Sequence, residues 1–156
     1  MTEHNGFLHR IPFLLDLGVR CHRMEAGQSE IELDLLERHQ NSWDMAHGGV
    51  LMTMLDVAMA IAGRSTDPEG RGVVTIEMKT SFMAPGRGNK LTARGTCVHR
   101  TSTMAFCEAE IVDPRGKTVA RGSGTFKFIK RSPPHRTSGT PGTPGTPGTA
   151  DTGADG

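Results

Sequence analysis

Asp56 is the only ionisable side chain in the run 48–63, which is otherwise Gly, Val, Leu, Met, Thr, Ala and Ile. A carboxylate without a task in such a run costs stability, because it loses water and gains nothing in return. Asp56 is therefore read as a general base or a nucleophile. Gly48 opens the same run. At the start of a helix its amide N–H has no intrahelical acceptor and has the positive end of the helix dipole behind it, which makes it a ready oxyanion donor. With no side chain at Gly48 or Gly49, a substrate carbonyl can approach the backbone. An activated water or attacking carboxylate together with an oxyanion donor are the parts that thioester hydrolysis needs.

The spacing constrains how these parts meet. Eight residues of helix put Gly48 and Asp56 about 12 Å apart along the axis, yet both must act within a few ångströms of one carbonyl carbon. One chain cannot supply both. Two antiparallel helices related by a two-fold axis would set Gly48 of one subunit beside Asp56 of the other, giving two composite sites per dimer.

The elements that must hold them follow from periodicity. Residues 48–62 read as a helix apolar on every side apart from Thr53 and Asp56, and such a helix must be wrapped by other structure. Before it come a short helix or turn at 11–17 ended by Gly18, and two alternating segments at 19–24 and 29–35 with Gly27 between them, a hairpin. Residues 37–46 lack a period and read as a loop. After 64–71 the period is two: Val74, Ile76 and Met78 alternate with Thr75, Glu77 and Lys79, followed by 91–99, 103–112 and 118–129. Pro85-Gly86-Arg87-Gly88, Arg100-Thr101-Ser102 and Asp113-Pro114-Arg115-Gly116 separate these strands as turns. The expected order is two strands, one buried helix, then four strands in a meander. This is an α+β architecture with an antiparallel sheet of about six strands around one central helix.

At 156 residues the chain has room for one domain. The folding unit is 1–131. Residues 132–156 contain only Ala150 and Ala154 as hydrophobes and repeat Gly-Thr-Pro, a composition that reads as a disordered tail. Residues 1–70 carry 5 Lys/Arg against 11 Asp/Glu, and residues 71–131 carry 12 against 4. The basic half, which lacks interleaved aromatics, fits a small polyanion better than nucleic acid. Alternating charges on the solvent face of a sheet would give the same count. Cys21, Cys97 and Cys107 show neither a disulfide framework nor zinc spacing. The first ten residues lack the apolar stretch of an export signal, and the run 50–62 is too short to span a bilayer. A cytoplasmic protein without membrane contact is expected.

The segment Asn41-Ser-Trp-Asp-Met-Ala-His47-Gly48-Gly49-Val-Leu-Met-Thr-Met-Leu-Asp56 resembles the signature of hotdog-fold acyl-CoA thioesterases, in particular the phenylacetate-degradation branch of the 4-hydroxybenzoyl-CoA thioesterase superfamily. Asp44 stands where the pattern often has Gly. The likeness extends to Val74-Thr75, to Ser81-Phe82-Met83-Ala84-Pro85 and to the late strands. It implies hydrolysis of a small aromatic or medium-chain acyl-CoA by a homodimer or a dimer of dimers, with no metal or redox cofactor, CoA being part of the substrate. It also implies roles for single residues. Asn41 would orient the water or the thioester carbonyl, unless it serves its own turn. His47 would hold Asn41 or the substrate, or cap the helix. Thr75 would place a hydroxyl near the Asp56 carboxylate. Phe82 and Met83 would line the pantetheine passage, and Arg87 or Arg100, Thr101 and Ser102 would reach the phosphates.

Other chemistries lack their motifs. Gly122-Ser123-Gly124 is not a nucleophile elbow, and no Walker loop or dinucleotide fingerprint is present. A hotdog module that binds acyl-CoA without hydrolysing it is the alternative, and Asp56 argues against it, since a binder needs no base.

Overall fold

The computed structural model describes residues 4–130. The expected domain boundary after 131 and the tail lie outside them. A short helix α1 (Pro12–Leu17) starts on a proline and stops at Gly18, whose φ of 85° lets its N–H turn back to Leu14 and Leu15. The hairpin β1 (Arg20–Glu25) and β2 (Gln28–Asp34) follows. The loop after it contains a 3₁₀ turn at Glu37–His39 and leads into α2 (Gly48–Arg64), two residues longer than its apolar run suggests. Four strands complete the chain: β3 (Gly72–Phe82), β4 (Lys90–Arg100), β5 (Met104–Val112) and β6 (Thr118–Ile129).

All six strands join one antiparallel sheet in the order β1-β2-β4-β5-β6-β3. The expected four-strand meander is therefore corrected: only β4-β5-β6 is one. β3 crosses to the far edge beside β6, and β2 takes the place next to β4. Periodicity of two reports which face a side chain takes, not which strand lies beside it, and the segment 83–89 between β3 and β4 is long enough to make the crossing.

The sheet curves around α2. Ile31, Leu33, Leu91, Ala93, Ile111 and Phe126 from the strands and Met54, Leu55, Ala58 and Met59 from the helix are wholly excluded from solvent. The approach is closest at Gly95, where a side chain would collide with the Ala58 carbonyl; in that gap Ser29 Oγ donates to Ala58 O at 2.7 Å and accepts from Gly95 N–H at 3.2 Å. The wrapping is incomplete on the side where Met52 is 42% exposed and Asp56 is half-buried.

β3 departs from simple alternation. Thr75 pairs with Phe126 and Glu77 with Thr125, so Ile76 is an extra residue, a bulge. Val73 and Met78 pack against the core, whereas Val74 and Ile76 are 41% and 53% exposed. The expected inward face of Val74, Ile76 and Met78 is thus corrected, because the bulge switches the phase of the strand between Thr75 and Glu77. Among the described residues no helix is long and apolar enough to cross a membrane.

Candidate active site

The loop 40–47 is fixed before it reaches α2. Gln40 and Ala46 form a bridge, Ala46 N–H donates to Gly86 O at 2.9 Å, and His47 N–H donates to His39 O at 2.8 Å. His39 is buried, its Nδ1 accepts from Leu36 N–H at 3.0 Å, and burial pushes its imidazole below the usual histidine range. Asp44 takes φ 53°, so the left-handed turn that glycine favours is made here by one of the few other residues that tolerate it. Asn41 serves its turn, its Oδ1 accepting from Trp43 N–H at 2.9 Å, while its Nδ2 has no acceptor among the described residues.

His47 is the N-cap. Its Nδ1 accepts from Gly49 N–H at 2.9 Å, and its carbonyl accepts from Val50 and Leu51 at 2.9 and 3.2 Å. Three of the first four amides of α2 are thereby used. The fourth, Gly48 N–H, has no acceptor among the described residues. It borders a pocket of about 390 Å³ shared with Asn41, Phe82 and Met83. Phe82 lies over Gly48, 3.5 Å from where a Cβ would stand. Arg87, next to Pro85 and Gly86 of the pocket wall, is exposed and in no ion pair among the described residues.

Asp56 is elsewhere. Its Oδ1 accepts from Thr75 Oγ at 2.7 Å, and it lines a separate, mostly apolar cavity of about 620 Å³ between α2, the N-terminal segment and the start of β3. Within one chain, then, Asn41, Gly48, Phe82 and Met83 are brought together, Asp56 and Thr75 are brought together, and the two groups stay apart.

Arg100, Thr101 and Ser102 join neither group. Their turn lies at the C-terminal end of α2, where Arg71 Nη2 donates to Ser102 O at 3.0 Å and Gly63 packs on Ala105 and Cys107. Arg100 donates to Asp67 Oδ1 at 3.3 Å and, like Arg71, stacks on Phe128; Thr101 Oγ accepts the amides of Thr103 and Met104. Hydrogen bonding from Arg71 is the main cause that holds the Asp67 carboxyl below the usual aspartate range. Much of the basic excess of the second half is consumed likewise on the sheet surface, by Lys90–Glu32, Arg94–Glu30 and Arg121–Glu110 pairs.

Residues 44–120 match the thioesterase superfamily. The chain has the hotdog fold. Thioester hydrolysis is the enzyme class that goes with the matched family. The chain is similar to the acyl-coenzyme A thioesterase PaaI of Escherichia coli, 29% identical over 125 residues covering 80% of this chain and 81% of that one. Among solved structures it is similar to the BH2602 protein of Bacillus halodurans with CoA, at 26% identity and TM-score 0.74 over 83% of this chain and 85% of that one. The conserved protein PA5202 of Pseudomonas aeruginosa, at 23% identity and TM-score 0.74 over 83% of this chain and 100% of that one, shares the fold.

Two features of the site escape a reading of the sequence. The bulge at Ile76, which sets the phase of Thr75, leaves no mark in the alternation. Arg64 in the Asp56 cavity did leave one, since Met52, Asp56, Ala60 and Arg64 follow at intervals of four along one helix face.

Proposed function

We infer that this chain hydrolyses a small aromatic or medium-chain acyl-CoA to the free acid and CoA, with each active site shared between two subunits. The observation that carries the reading is the separation of two half-sites. One has an unused helix N-terminal amide at Gly48; the other has a carboxylate, Asp56, oriented by the Thr75 hydroxyl and opening on an apolar cavity. Thr75 engages Oδ1, which leaves Oδ2 to take a proton from water or to attack the carbonyl carbon itself. In either route the thioester oxygen gains negative charge and the Gly48 N–H of the partner subunit, at the dipole end of α2, stabilises it. The Asn41 amide is a second donor beside Gly48. The acyl group occupies the cavity next to Asp56, pantetheine passes Phe82 and Met83, and Arg87 stands nearest to reach the phosphates. The relatives named for acyl-CoA hydrolysis and the CoA-bound relative support this substrate class.

Mixing two inactive variants tests the shared site. Gly48→Pro removes the donor N–H. The preceding His47 already has ψ 138°, the extended conformation a following proline demands, and a Cβ at Gly48 meets only ordinary contact distances. A mixed dimer of Gly48→Pro with Asp56→Asn holds one site with both lesions and one with neither, so about half of the wild-type activity per dimer is expected. No recovered hydrolysis after demonstrated subunit exchange would reject the cross-subunit arrangement.

A further inference from the structure

The cavity beside Asp56 has a second charged end. Its floor is one stripe of α2, on which Asp56 and Arg64 are separated by two turns and about 12 Å of rise. Between and above them the walls are hydrocarbon, from residues such as Phe13, Val57, Ile61 and Met78. Arg64 is half-buried, and its environment differs from that of most arginines here. Arg20, Arg23, Arg71, Arg94, Arg100 and Arg121 all lie within ion-pair distance of carboxylates. Arg64 lies within that distance of none among the described residues. Its Nε donates to the Arg71 carbonyl at 3.1 Å, and one terminal nitrogen is 3.4 Å from His9 Nε2. A guanidinium is left at the edge of an apolar cavity with no counter-charge among the described residues, and the group that complements it is a planar carboxylate.

We propose that Arg64 recognises a carboxylate at the far end of the acyl group, so that the preferred substrate is an ω-carboxyacyl thioester. The proposal rests on the reading of Asp56 as the group at the thioester carbonyl. Given the rise between the two residues and the reach of their side chains, an acyl chain of roughly six to eight carbons spans the distance. The two charges also set its direction: Asp56 repels a carboxylate tail and Arg64 attracts it. A plain hydrocarbon chain of the same length would strip water from the guanidinium and return no hydrogen bond.

The full-length protein is assayed with suberyl-CoA and octanoyl-CoA, which differ at the chain end only. The wild type is expected to favour suberyl-CoA in kcat/KM by at least ~10-fold, mainly through KM. Arg64→Met should bring the ratio below one, and Arg64→Lys, which keeps the charge but not the fork, should leave a smaller preference. A wild type that favours octanoyl-CoA, or a ratio that Arg64→Met does not move, overturns the role of Arg64 while the thioesterase reading stands. Hydrolysis of neither compound, nor of any aromatic acyl-CoA, overturns that reading and this proposal with it. The wild-type ratio decides the matter even where Met at position 64 prevents folding.

Discussion

At the scale of single residues, the proposed chemistry concentrates on a carboxylate, a hydroxyl and an amide. Thr75 donates to Asp56 across 2.7 Å, a bond that fixes one carboxylate oxygen and, in the proposed mechanism, leaves the other for the reaction. Asp56→Asn keeps the shape and removes the base, so kcat should fall at least ~100-fold while circular dichroism stays that of the wild type. Thr75→Val removes only the orienting bond, and a loss of about 10-fold in kcat with little change in KM is expected from steady-state kinetics. Full turnover by Asp56→Asn would remove the carboxylate from the mechanism.

At the scale of elements, the two ends of α2 have different work. Its N-terminus leaves Gly48 N–H without an acceptor among the described residues, and its C-terminus is tied to the β4–β5 turn through Asp67, whose side chain is 0% exposed and meets both Arg71 and Arg100. Asp67→Asn should lower Tm by roughly 5 °C at pH 7. The Asp67 carboxyl is held below its ordinary value by Arg71, so the stabilisation is fully present above the unfolded value of about 3.9 and is lost as pH falls through the lowered folded value. The Tm gap between wild type and Asp67→Asn should accordingly close on acidification and not on alkalinisation. The same geometry separates two arginines. Arg100→Ala should cost Tm with little change in KM, whereas Arg87→Ala should raise KM several-fold, an effect that shrinks with added salt.

At the scale of the whole molecule, one side of the single chain is unfinished. β3 is an edge strand with unpaired backbone groups, its Val74 and Ile76 are exposed, and Met52 of α2 is 42% exposed near Asp56. A partner subunit covering this side would bury the apolar surface and bring a second Gly48 toward Asp56. Ile76→Glu should therefore lower both the mass measured by sedimentation velocity and the turnover, in parallel. A monomer with wild-type turnover would show that one chain holds a complete site.

What the residues alone determined is local. The apolar run with a single carboxylate marked α2 and Asp56, His-Gly-Gly marked the start of the helix and the amide of Gly48, and alternation marked the strands, because each of these is written in neighbours a few positions apart. Partnership between distant segments is not written that way. That β3 lies beside β6, that a bulge at Ile76 sets the phase of Thr75, that Arg100 is spent on Asp67, and that Gly48 and Asp56 open on different cavities follow from how a curved sheet closes on one helix. The sheet must bury its inner face against α2 with no collision at Gly95, and that packing constraint, which involves every strand at once, decides which side chains meet.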